Sequence, residues 1–337
     1  MIKHYLNIPI IFLLTLIVFN SCKNNNKPQE NNIIPFKRIT EFKDNTYFSL
    51  TEGMVFYKDK IYIPDNDNGT VWITDEDFNL LSHVGRYGKG PGEMTYCSKV
   101  AISGNYILAS DEGNRKINFY DINNNTFINS FKISFPGYSI DSRFAVSNNQ
   151  QIYISTRNKI YSEDFSGKLI NEIKLVTKSY WYKNKKIIGN RHVLIFDNKY
   201  LILVVENEPI IEMFSFTGEF INKYDLSGLE CLSNLISFIN NGNKPRPLTY
   251  YSFFVDAYLV GNSLYILYLD ILKNDEKTNG NIMEFEISKK YCNLKNIYHL
   301  FTDKKIGWYE SFCISDDKKK IYAYEAINNE LQIFPIK

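Results

Sequence analysis

The chain contains no C-x-x-C pair. Its five cysteines stand singly, so zinc-ribbon and thioredoxin-type chemistry find no support. No G-x-S-x-G elbow, phosphate-cradling glycine loop or H-E-x-x-H helix occurs. The usual marks of a serine hydrolase, a P-loop NTPase and a zinc protease are therefore missing. There is no long basic block either. Lys and Arg number 39 against 37 Asp and Glu, and nothing argues for nucleic acid as a partner. The longest apolar run, Ile8 to Phe19, falls short of the roughly 20 residues that a membrane-spanning helix needs.

That run has the length of a signal-peptide core instead. A short polar segment with Lys3 and His4 precedes it, and Asn20-Ser21-Cys22 ends it. A small residue directly before Cys, at the end of such a run, resembles the lipobox of bacterial lipoproteins. The resemblance implies that residues 1–21 are a lipoprotein signal peptide and that Cys22 carries lipid, which would hold the protein on a membrane. The alternative is an ordinary cleaved signal with an incidental cysteine. The following stretch to Asn32 is polar and rich in Asn, so 22–32 is expected to be a flexible tether. In an exported chain, Cys97, Cys231, Cys292 and Cys313 could form disulfides; isolated buried thiols are the simpler reading.

What the sequence does have is a repeat. An apolar strand, a polar turn, a second strand, a Gly/Asn/Asp turn and a third strand recur. The repeats start at Ile61, Tyr106, Ile152, Tyr200, Leu264 and Ile321, between 45 and 64 residues apart. Each copy has an earlier strand, the first at Gly53 to Tyr57 and the last at Glu310 to Ile314. Asn68-Gly69 is a strong hairpin turn. The fifth copy is expected to pass from Leu264–Leu269 through a longer polar loop to Ile282–Ile287. Four-stranded units of this length indicate an all-β, six-bladed β-propeller with antiparallel blades. A sandwich would show alternating polar positions. Tyr200 to Val205 and Leu264 to Leu269 are continuously apolar, as inner strands packed on both faces require. The sixth copy shows only three strands. Ile33 to Phe42 is left over, and it is expected to supply the missing outer strand, closing the ring with the N-terminal strand of a propeller spanning 33–337.

Between the first two copies lies Gly85-Arg86-Tyr87-Gly88-Lys89-Gly90-Pro91-Gly92-Glu93, which can be neither helix nor strand interior. With Gly85-Arg86, Gly90-Pro91-Gly92-Glu93, the lipobox-like Cys22 and the blade spacing, the chain resembles the six-bladed β-propeller lipoproteins of Bacteroidetes, relatives of NHL-repeat propellers. That resemblance implies fold and export rather than a chemistry. Lys23 to Lys27 are basic or neutral, which favours the periplasmic side over the cell surface.

Binding is expected on the face carrying the loops between blades and the loops joining the middle two strands. Candidate ligand contacts there are Arg86, Lys89 and Glu93 in the glycine loop, and Arg115 and Arg157 in middle-strand loops. Trp181 and Tyr182 sit in an aromatic loop beside three lysines, and Arg191 and His192 near the central channel. A guanidinium can hold a carboxylate or phosphate bidentately, and aromatics stack on sugars and apolar ligands. Arg86 and Glu93 can equally pair with each other and fix the loop. Asp65-Asn66-Asp67-Asn68-Gly69 lacks the closing Glu of a calcium loop and reads as a tight hairpin. The sequence therefore points to a monomeric, membrane-tethered binding module for a glycan, peptide or protein, with no catalytic residue, metal ligand or cofactor assigned. The alternative is a metal-assisted lactonase, hydrolase or lyase, with carboxylate or His groups converging in the channel.

Overall fold

The computed structural model describes residues 27–136, 143–156, 159–175, 190–241, 252–272, 276–303 and 305–336. They form six sheets, each built on four consecutive antiparallel strands or, in the last, on three strands completed from the N-terminus; the fifth sheet carries one further strand. Blade one spans 55–85, blade two 100–132, blade three 144–174, blade four 191–225, blade five 254–300 and blade six 309–335. The first strand of each blade contacts the first strand of the next, all the way round. These six inner strands enclose the channel.

Six apolar clusters fill the six seams. Phe119, Ile152 and Tyr161 meet between blades two and three; Ile63, Trp72, Tyr322 and Leu331 meet between blades six and one. Because a blade packs on both faces, its middle strands have no wet side. Residues 201–205 in blade four are all buried, as are 263–269 in blade five. Outer strands such as Phe127–Lys132 are largely exposed.

The ring closes as expected. The N-terminal strand β2 (Lys37–Ile39) pairs antiparallel with Glu330–Pro335, the third strand of blade six. A strand at β1 (Gln29–Ile33), partly within the stretch read as tether, was not foreseen. It adds to the outer strand of blade five in parallel, Gln29 beside Asn296 and Ile33 beside Leu300, and covers an otherwise open edge.

Blade five also corrects the sequence reading. Its middle strands run Ser263–Ile271 and Lys277–Ile287, so most of the expected polar loop is strand. Thr278, Asn279 and Asn281 are buried there. Asn279 Oδ1 accepts the Tyr309 N–H at 2.8 Å, and Asn281 Oδ1 lies 2.7 Å from His299 Nδ1. Polar side chains with partners are tolerated in a core, so polarity alone did not mark a loop. A helix, α1 (Ser233–Asn240), lies in the connection from blade four to blade five and buries Leu235 in the seam between them. No helix among the described residues is long and apolar enough to cross a membrane. Cys97, Cys231, Cys292 and Cys313 are free thiols.

Candidate functional site

Each inner strand begins at the face where the inter-blade loops arrive, here called the mouth. Near that end every blade carries one ionisable side chain: Glu52, Lys99, Arg143, His192, Asp256 and Glu310 for blades one to six. The local backbone explains several of these positions. In blade six the pairing skips Glu310 between Tyr309 and Ser311, and in blade five it skips Val255 just before Asp256. Bulges of this kind re-aim side chains at a sheet end. Gly53 has φ +68°, and a Cβ there would stand 2.5 Å from Lys99 Cδ. Glycine at this point lets the lysine stem lie across blade one.

Five of these, with Glu206 after the second strand of blade four, make a connected set. Lys99 Nζ lies 2.9 Å from Glu52 Oε2. Arg143 Nη1 lies 3.4 Å from the same oxygen, and Arg143 Nε lies 3.6 Å from Glu206 Oε1. His192 stands between two carboxylates, Nε2 at 3.5 Å from Glu206 Oε1 and Nδ1 at 3.7 Å from Asp256 Oδ1. Asp256 accepts backbone N–H groups from Ala257 at 3.0 Å and Phe312 at 3.1 Å. Glu310 accepts the Trp308 indole N–H at 2.8 Å. Beneath the set runs a cavity of about 290 Å³, walled by Lys99, Arg143, His192 and Asp256 and by apolar residues including Val55, Ile102, Leu194 and Leu259. Lower down, the Tyr258 hydroxyl ties blade five to blade one. It accepts the Phe56 N–H at 3.0 Å and donates to the Phe56 carbonyl at 3.2 Å.

Burial sets the protonation states. It works against the Arg143 charge, but Glu206, Glu52 and Asp256 outweigh it and hold the guanidinium more firmly protonated. Burial and the Arg143 charge hold His192 well below the usual imidazole range. Two nearby carboxylates pull the other way, but burying a further charge costs more, so the ring is neutral. Burial pushes the Asp256 carboxyl up to about 6 against the pull of Arg143, and it also raises Glu310.

Of the residues singled out in the sequence, His192 lines this cavity. Arg191 does not. It is one residue earlier on the strand, faces the opposite way, and is buried with Glu212 at 3.5 Å. Arg86 is exposed and pairs with Glu93 through Nη2 at 2.7 Å and Nε at 2.9 Å. The other Glu93 oxygen accepts the Gly90 N–H at 2.8 Å, so this pair fixes the glycine loop. Lys89 is exposed on the same loop, and Arg115 donates to the Phe135 carbonyl at 3.3 Å. Cys22, Arg157, Trp181 and Tyr182 lie outside the described residues. The Asp65 turn is a hairpin, as read. Its carboxylate accepts from Ser49 N at 2.9 Å, Asn68 N at 3.0 Å, Asn68 Nδ2 at 2.9 Å and Trp72 Nε1 at 2.8 Å. Sequence reasoning missed Glu52, Lys99, Arg143, Glu206, Asp256 and Glu310. The available signal was the charged residue opening the first strand of several repeats.

No curated protein matches the chain. Several solved structures share its fold. A Bacteroides fragilis protein for which export is inferred is 14% identical, covers 92% of this chain and 100% of its own, and superposes with a TM-score of 0.58. Virginiamycin B lyase from Staphylococcus aureus is 11% identical over 89% of this chain and 99% of its own, with a TM-score of 0.54. The β-propeller domain of Cps50 (Swd1) from Myceliophteria thermophila is 9% identical over 90% of this chain and 100% of its own, also at 0.54. At such identities the likeness is one of fold. Residues 40–193, from the approach to blade one to the inner strand of blade four, match a family described as 6-bladed beta-propeller, the architecture that the ring of sheets displays.

Proposed function

We propose that the protein is an exported, lipid-anchored propeller that binds a ligand at the mouth of its channel and releases it chemically unchanged. The observation that carries this reading is the set of ionisable side chains at the mouth, in which Lys99, Glu52, Arg143, Glu206, His192 and Asp256 hold one another across five blades. Mutual pairing fixes polar groups before a ligand arrives, which lowers the cost of binding. The carboxylates gather around the protein's own guanidinium. Among the described residues no three His, Cys, Asp or Glu side chains are grouped to hold a metal ion. Export is supported by the apolar run ending at Ser21-Cys22 and by the likeness to the Bacteroides fragilis protein. The lipid would sit on Cys22, on the periplasmic side.

A second reading is a lyase working at the same place. It is favoured by Asp256, whose carboxyl titrates near 6 beside a neutral His192, the range suited to general acid–base work. The fold likeness to virginiamycin B lyase is compatible with it.

Affinity selection separates the two. The mature protein and Lys99→Met are equilibrated with a pool of small polar metabolites, and retained compounds are identified by mass spectrometry. A compound retained by the wild type alone, in stoichiometric amount and at unchanged mass, is the expected result. Conversion to a compound of different mass over time would favour the lyase. A wild type that retains nothing beyond what Lys99→Met retains would end the assignment of the mouth as a binding site.

A further inference from the structure

Ionisable side chains gather at the mouth, but only some of them line the cavity. Lys99, Arg143, His192 and Asp256 do; Glu52, Glu206 and Glu310 do not. With the His192 imidazole neutral, the cavity wall carries two positive charges and one negative. They are not intermixed. Lys99 and Arg143 come from the neighbouring blades two and three, and Asp256 comes from blade five. In a closed ring of six, blade five stands directly across from blade two. The wall is therefore polarised, positive on one side and negative on the other.

Both sides have bonding capacity to spare. An ammonium carries three N–H groups and a guanidinium five. Among the described residues Lys99 Nζ spends one on Glu52, at 2.9 Å. Arg143 Nη1 meets the same carboxylate at 3.4 Å, while its Nε, 3.6 Å from Glu206 Oε1, is buried without a hydrogen-bond partner. Buried donors of this kind call for a partner. Asp256 accepts one backbone N–H at each oxygen, from Ala257 and Phe312. Its ion-pair contact among the described residues is the neutral His192. Arg143 attracts this carboxylate from further off, and burial outweighs that pull. Beneath the charged layer the wall turns apolar.

We propose that the mouth takes a small zwitterion of the α-amino acid kind, its carboxylate towards Lys99 and Arg143, its ammonium towards Asp256, and an apolar side chain against Val55, Ile102, Leu194 and Leu259 in the wall beneath. The inference rests on the mouth being a binding site. A ligand with a single charge gains on one side of a polarised wall and is repelled on the other. A ligand carrying both charges, turned the right way, gains on both. It also brings no net charge into a site whose groups already hold one another, so none of those pairs has to break.

The test is calorimetric titration of the full mature protein at low salt and pH 7.5, where the Asp256 carboxyl, titrating at about 6, is ionised. Three probes share one hydrocarbon chain: leucine, isopentylamine, which lacks the carboxylate, and isocaproate, which lacks the ammonium. Leucine is expected to bind about tenfold or more tightly than either, the scale of one hydrogen bond to a charged group. Lys99→Met should weaken leucine and isocaproate more than isopentylamine. Asp256→Asn should weaken leucine and isopentylamine more than isocaproate. Circular dichroism checks that both variants fold. Either half-molecule binding wild type as tightly as leucine does would overturn the proposal while leaving the mouth a binding site. So would folded variants that weaken all three probes equally. Failure of all three to bind folded wild type would also overturn it, while the metabolite selection tests the broader reading on its own.

Discussion

Arg143→Met is the sharpest test of how the mouth is held together. The Arg143 side chain is 14% exposed, and its guanidinium lies 3.4 Å from Glu52 and 3.6 Å from Glu206. Methionine keeps much of the volume and removes the charge. Deleting one partner of a buried ion pair typically costs about 3–5 kcal/mol, because the other charge is left in a poor solvent. Glu52 would still have Lys99 at 2.9 Å, so the lower end applies, roughly 3 kcal/mol. In a chain of this size that corresponds to a melting temperature lower by about 5 °C. The deficit should depend on pH. Asp256 and Glu310 already sit above the usual carboxylate range, and Arg143 is the charge that restrains both. Without it they rise further. A carboxyl raised in the fold binds more protons folded than unfolded, so stability gains as pH falls through that range. His192, no longer facing the guanidinium, would protonate more readily between its two carboxylates, with the same effect. The deficit is therefore expected to be largest near pH 8 and to shrink towards pH 5. Adding Glu206→Gln should recover part of it at pH 8 by removing a negative charge that Arg143 no longer offsets. Thermal unfolding followed by circular dichroism from pH 5 to 8 measures all of this. An Arg143→Met melting temperature equal to wild type at pH 8, or a loss independent of pH, would refute the reasoning.

The glycine loop should separate backbone from side chain. Gly92 has φ +70°, and a Cβ there would stand 2.9 Å from Phe127, so Gly92→Val is expected to cost about 1–3 kcal/mol in chemical denaturation. Gly90 has no positive φ and should tolerate alanine better. Arg86→Ala, at an exposed pair, should leave the melting temperature nearly unchanged; a loss as large as that of Gly92→Val would make the pair a structural keystone. Cys22→Ala, expressed in a bacterial host, should abolish incorporation of labelled fatty acid, and label retained at the wild-type level would remove the anchor from the proposal.

The fold was legible because burial on both faces writes itself into consecutive residues. Tyr200 to Val205 needs no partner to announce that it is an inner strand. Turn chemistry did the same for Asp65 to Gly69. The mouth was far less legible. Glu52, Arg143 and Glu206 meet across three blades, and no local pattern encodes such a meeting. Arg191 and His192 show the limit well. Neighbours on a strand face opposite sides, so a single residue decides between the channel and the seam, and sequence alone placed both near the channel. Glu310 escaped for a related reason, since its aim depends on a bulge. Thr278 to Asn281 misled because their polarity is satisfied inside the sheet by partners from blade six and the outer strand of blade five.

The parallel course of β1 has a consequence for how the molecule stands. The outer strand of blade five ends towards the mouth, where the chain crosses to blade six. Ile33 ends beside Leu300, and Gln29 lies back along the strand beside Asn296. β1 therefore runs towards the mouth, and its first residue, Gln29, is the end nearer the opposite face. From Cys22 to Gln29 the chain can span at most about 25 Å. A lipid on Cys22 would draw that opposite face to the bilayer and turn the charged ring outward, with the thickness of the disc between it and the headgroups. Such a molecule samples solutes from the water above the membrane, not lipids within it.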